Sequence, residues 1–151
     1  MTDTNIPTIE SLIEICRDSE EGFAAAAAAA TNSALKHMLE EYSRQRLQFA
    51  RDLQGEGVIF GEKEPADSGT VNGSARRAWM KVRHALGTLD DRTVLEECER
   101  EAAASVEAYR AALEAPGLAD CQRDTVAAQF TEVVAAHRRV REWRDGVAAG
   151  V

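Results

Sequence analysis

With 151 residues, 44% of them hydrophobic and 29% charged, the chain has the size and balance of one soluble domain able to bury a core. Its formal net charge of -8 repels phosphate backbones. The densest basic stretch, Arg138, Arg139, Arg141 and Arg144, is broken by Glu142 and Asp145, so no nucleic-acid partner is expected. The alanine run at 24–30 is too short and too weakly apolar to span a bilayer, which excludes a membrane role through that segment.

Aromatic residues make up only 5%, so the core has to be built from Ala, Val, Leu and Ile, a composition suited to closely packed helices. The first seven residues show no basic start followed by an apolar run. No secretory leader is expected there. Cys16, Cys98 and Cys121 are odd in number and lack metal-type spacing, which fits free thiols in a reducing cytoplasm.

Thr8 follows Pro7 as a candidate N-cap, and Ile9, Leu12, Ile13, Cys16, Phe23 and Ala27 then recur at helical spacing; the expected helix covers 8–30. Thr31 and Asn32 can cap a second helix over 33–60, with the stripe Leu35, Met38, Tyr42, Phe49 and Leu53. So short a connection sets these two helices antiparallel. Gly61, Pro65 and Gly69 mark a loop, and Val71, Ala75, Trp79, Val82 and Leu86 predict a shorter helix over 70–86, closed by Gly87. Asp90 or Asp91 caps a helix over 91–114 that carries Val94, Leu95, Cys98, Ala102, Ser105 and Ala108. Pro116 and Gly117 end it. The last helix, 118–145, bears Val126, Phe130, Val133, His137 and Val140.

No stretch alternates with the period of a strand. The expected fold is all-α: one domain over 1–151, an antiparallel four-helix bundle of ferritin-like wiring, with a short extra helix in the long crossover between the second and third long helices. A five-helix up-and-down bundle is the alternative. The Gly/Pro-rich segment is longer than a simple helix–helix turn needs, which favours the crossover.

Extending each apolar stripe by threes and fours brings in Glu20, Gln45, Glu101 and His137, one polar side chain near the middle of each helix. Ferritin-like carboxylate proteins hold two metal ions at such a level, using a Glu from each of two helices and a Glu-x-x-His pair from each of the others. Glu20 and Glu101 stand where the single ligands would be. The second helix offers Gln45 and Gln48 instead of a ligand pair, and Val134 precedes His137 by three residues, with Glu132 on another face. Hard dications need several carboxylates. The candidates for any metal are therefore Glu20, Glu101 and His137, and the preferred expectation is a metal-free buried cluster of Glu20, Gln45, Gln48, Glu101 and His137, with Tyr42 or Tyr109 nearby. A Cys98–His137 nucleophile pair is disfavoured because Glu101, one turn from Cys98, raises the thiol pKa.

Leu12-Ile-Glu-Ile-Cys-Arg-Asp18, Glu20-Glu-Gly-Phe23, Tyr42-Ser-Arg-Gln-Arg46, Asp67-Ser-Gly69, Arg77-Ala-Trp79, Leu95-Glu-Glu-Cys-Glu-Arg100, Ala108-Tyr-Arg110 and Ala135-Ala-His-Arg138 form an ordered set. This set resembles a bacterial family of uncharacterised ferritin-like four-helix bundles defined by a domain of unknown function, over roughly residues 9–145. The resemblance implies the ferritin-like wiring and carries no established activity. The expectation is a cytoplasmic, non-enzymatic protein with a degenerate metal site and no cofactor, acting through binding or assembly as a homodimer. The competing expectation is an iron or manganese oxidase or iron-handling protein on Glu20, Glu101 and His137, with Glu132 or Glu21 swung inward.

Overall fold

The computed structural model describes residues 5–59 and 90–148, with side chains placed over 8–55 and 90–146. Four helices and no strand occur among them: α1 (Asn5–Ala29), α2 (Ser33–Ile59), α3 (Asp91–Glu114) and α4 (Asp120–Ala148). The helix expected over 70–86 and the loop before it lie outside the described residues. Among the described residues, no helix is long and apolar enough to cross a membrane.

The helix ends follow local chemistry. α1 begins at Asn5, earlier than Thr8, and takes Pro7 into its first turn, where the missing N–H had no acceptor within the helix. Asn32 caps α2 by accepting from the Leu35 N–H at 3.0 Å. Asp90 caps α3 through the Thr93 N–H at 2.8 Å. Gly117, at φ 98, supplies the left-handed residue that turns the chain after α3. At the start of α4 the buried Gln122 reaches back to the Ala119 N–H at 2.9 Å, one half of a capping box.

α1 packs on α2 and α3, and α4 packs on α3 and α2, α2–α4 being the loosest of these contacts. The partners meet in reverse order. Ala27 O receives the Lys36 ammonium at 2.6 Å and Glu20 O the Ser43 hydroxyl at 2.9 Å. Thr31, Ser19 and Cys16 bond Asp91, Glu101 and Tyr109 in turn. Glu99, Tyr109 and Leu113 meet His137, Gln129 and Arg123.

The apolar core is split in two. One cluster gathers Phe23, Ala26, Leu35, Leu39, Leu95 and Val140; the other gathers Ile9, Leu12, Leu53, Val106, Val126 and Val133. Between these levels in sequence lie the buried polar side chains Asp18, Ser19, Arg46 and Ser105, the last three linked by hydrogen bonds to one another or to Glu101. The fully buried Ala102 and Ala136, small enough to leave room for a guanidinium, fall in the same interval.

Candidate functional site

Arg46 defines the polar layer. It is 1% exposed and projects from the core face of α2, in step with Leu35, Leu39, Ala50 and Leu53. Its Cζ lies 5.3 Å from the centroid of the Phe23 ring, which itself stands 5.5 Å from the ring of Tyr42. Nη1 donates to Ser105 Oγ at 3.5 Å, Ser105 Oγ lies 3.2 Å from Ser19 Oγ, and Ser19 donates to Glu101 Oε1 at 2.6 Å. The carboxylate fixes the direction: Ser19 gives its proton to Glu101, so it receives the proton of Ser105, whose oxygen receives the Arg46 N–H. The two serines thus join a buried cation to an acidic group.

Desolvation pushes the Glu101 carboxyl above its ordinary value, while the Ser19 hydrogen bond and the charge of Arg46 pull it partly back. Desolvation likewise lowers Arg46, yet a guanidinium stays protonated in proteins. Arg46 Nη2 is buried and has no hydrogen-bond partner among the described residues.

A second chain of bonds ties all four helices together. Tyr109 donates to Gln129 Oε1 at 2.7 Å, so Cys16, 3.1 Å from the phenol oxygen, donates its S–H to it. Gln129 Nε2 continues to Phe49 O at 3.3 Å. Burial pushes the Cys16 thiol up to about 11 and raises Tyr109 well above the usual phenol value. Both remain neutral donors.

The side chains expected at this level separate. Glu101 belongs to the layer, and Gln45 touches its edge, accepting from Arg46 Nε at 3.4 Å. Glu20 turns aside to Arg17 at 3.5 Å. Gln48 is a correction: it is exposed and donates to Asp52 at 2.9 Å. His137 stands apart, bonded to Glu99 at 2.8 Å, with Arg144 on the other oxygen of that carboxylate at 3.4 Å. Glu132 and Glu21 are both exposed. The reason is phase. The core face of α2 is rotated by roughly 60° from the stripe through Met38, Tyr42 and Phe49, at 3.6 residues per turn, which carries Gln45 to the flank and Arg46 to the centre. Cys98 is fully buried and its thiol is pushed up by burial and by Glu101 and Glu97, so it does not pair with His137 as a nucleophile would.

These residues do not fit a pair of metal ions. Glu101 is the carboxylate bonded into the Arg46 layer, and no group of three or more His, Cys, Asp and Glu side chains able to hold a metal occurs among the described residues. Arg46 adds a fixed positive charge. At an effective dielectric near 20, a dication about 6 Å from a guanidinium meets roughly 5–6 kcal/mol of repulsion.

The family model for a domain of unknown function (DUF2383) matches residues 4–115. The chain belongs to that family. The matched span of this DUF2383 protein takes in α1, α2 and α3, and with them Cys16, Ser19, Arg46, Glu101, Ser105 and Tyr109. It stops short of α4, so Ala135-Ala-His-Arg138 lies beyond it, a narrower correspondence than residues 9–145. No curated protein matches the sequence.

Sequence reasoning passed over Arg46, Ser19 and Gln129; it set Ser105 on the inward stripe without a role and expected Tyr109 beside the polar cluster. The signal was available for the two serines, which stand on the stripes Leu12–Cys16–Phe23 and Cys98–Ala102–Tyr109 at spacings of three and four.

Proposed function

We propose that this DUF2383 protein is a bacterial, cytoplasmic, ferritin-like bundle that works by binding and self-assembly as a homodimer, its metal layer replaced by a buried cation relayed through two serines to an acidic group. The observation that carries the reading is Arg46, 1% exposed and linked through Ser105 and Ser19 to Glu101. The cation supplies within the chain the positive charge that a metal would otherwise bring to the buried carboxyl group. The His137–Glu99 pair stands apart from the layer between α3 and α4, and the Cys16 and Cys98 thiols are buried with raised values.

The antiparallel, ferritin-like wiring is supported by the order of contacts. α2 and α3 both run against α1, so they run in the same direction. That parallel pair is the arrangement of the second and third helices in a ferritin-like bundle.

Protein purified from cells supplied with iron and manganese is expected to carry far less than one metal per chain by elemental analysis, unchanged by Glu101→Gln or Glu20→Ala. It should not speed the oxidation of ferrous iron by oxygen. Two metals per chain, lost on Glu101→Gln, would overturn the reading in favour of an iron or manganese oxidase built on Glu20, Glu101 and His137.

A further inference from the structure

On α4 the buried Gln122, Val126, Gln129, Val133, Ala136 and Val140 fix the side turned to the core. Directly opposite, about half a turn round at 3.6 residues per turn, the middle of the helix is free of charge. Ala127, Ala128, Thr131 and Val134 are exposed there and Ala135 is half-exposed. Val134, at 39%, is the exposed large hydrophobic among the described residues. Thr131 sits at the centre of the stripe, and its hydroxyl already donates to Ala127 O at 3.3 Å, so it presents no unmet donor.

Small residues alone would not make an interface; the charges beside them set a register. Asp124 and Arg138 stand at equal distances before and after Thr131 on the same stripe, and neither makes an ion pair among the described residues. A helix with that arrangement is complementary to its own copy turned through a two-fold axis.

We propose that a second copy of the chain docks on this face, α4 against α4, antiparallel about a two-fold axis at Thr131. This rests on the assembly reading above and names its surface. In this register Ala127 opposes Ala135 of the partner subunit, and Ala128 opposes Val134 of the partner subunit. Asp124 of each copy meets Arg138 of the partner subunit, so the ion pair occurs twice. The small side chains let the helix axes approach to the near end of the usual 8–10 Å. Further out, Asp120 and Glu142 of the partner subunit carry like charge, which favours a crossing open enough to part the helix ends. The face lies on the helix that follows the matched family segment.

The test uses the full chain with Cys121→Ser, removing the exposed thiol, and Thr131→Cys on that background; Cys16 and Cys98 are buried. Mild oxidation is expected to give a covalent dimer on a non-reducing gel, whereas the same background with Glu40→Cys, on the exposed side of α2, does not. Arg138→Asp should weaken dimerisation by about tenfold or more in sedimentation, since it sets two repulsive contacts in place of two attractive ones, and adding Asp124→Arg should restore it. Unchanged thermal melts of these surface variants would keep the fold out of question. A dimer that neither cross-links through Thr131→Cys nor responds to Arg138→Asp overturns this face and leaves the assembly reading standing. A monomer at every concentration overturns both.

Discussion

Replacing Arg46 with Met tests the polar layer most directly. Met keeps an unbranched stem of similar length, so the change removes the charge and its hydrogen bonds with little loss of packing. Arg46 is 1% exposed, and Glu101 remains opposite with its counter-charge gone. Breaking a buried charge pair from one side costs about 3–5 kcal/mol. Against a total stability of about 5–15 kcal/mol, that corresponds to a fall of roughly 6–20 °C in Tm for a chain of this size. The cost should depend on pH. Burial already holds Glu101 above its ordinary value, so the folded state binds that proton more tightly than the unfolded chain does. A raised carboxyl contributes best below its unfolded value, and the contribution is lost as pH rises through the folded value. Without Arg46 the folded value rises further, and the window of loss extends upward. Urea midpoints for the Arg46→Met variant should therefore fall further below wild type near pH 8 than near pH 5. Arg46→Met with Glu101→Gln should recover much of the stability and lose the extra pH dependence. An equal penalty at both pH values, or no recovery from the second substitution, would refute the coupling of these two groups.

Tyr109→Phe removes the donor to Gln129 and the acceptor of Cys16 while keeping the ring; a loss of about 1–3 kcal/mol is expected in urea titrations, with helix content by circular dichroism unchanged. Asp91→Ala removes the carboxylate that binds Thr31 N, Thr31 Oγ1 and Asn32 N at 2.7, 2.9 and 3.1 Å, and should cost about 1–2 kcal/mol, with faster amide exchange in the turn between α1 and α2. Cys121 is exposed whereas Cys16 and Cys98 are buried with raised thiol values. An aromatic disulfide reagent should thus titrate one thiol rapidly in the native protein and all three only in denaturant.

Much of the secondary structure was legible because its signals are local. Asp90 and Asn32 accept from N–H groups three residues on, Gly117 acts through its own backbone, and apolar spacing marked four long helices whose ends fall within a few residues of expectation. The interior was harder to read, since two neighbouring stripes on α2 satisfy helical spacing about equally well. Both share Leu35 and Leu53; the expected one runs between them through Met38, Tyr42 and Phe49, the other through Leu39 and Ala50, which admits an arginine to the core. Charged residues are almost never fully buried unless paired, so a stripe that includes Arg46 reads as a solvated face until its partners are in view. Those partners, Ser19, Glu101 and Ser105, lie on other helices and are far away in sequence.

The phase of that one helix decides the chemistry of the centre. With Gln45 inward, the layer would hold a neutral oxygen donor beside two carboxylates and a histidine, a set that a single cation could still complete. With Arg46 inward, Glu20 is left with Arg17 at the margin, His137 with Glu99 between α3 and α4, and Glu101 is already opposed by a fixed cation. A rotation of a sixth of a turn thus replaces an incomplete cation site with one that repels cations. For Arg46 to sit there it needs acceptors from α1 and α3 at the same level, and Ser19 and Ser105 are short enough to let the helices close while still relaying its hydrogen bond. Lengthening either serine, as in Ser105→Gln, would force the helices apart. Shortening both to Ala would leave Arg46 without its bonded link to Glu101, so the layer depends on small hydroxyl side chains at both positions.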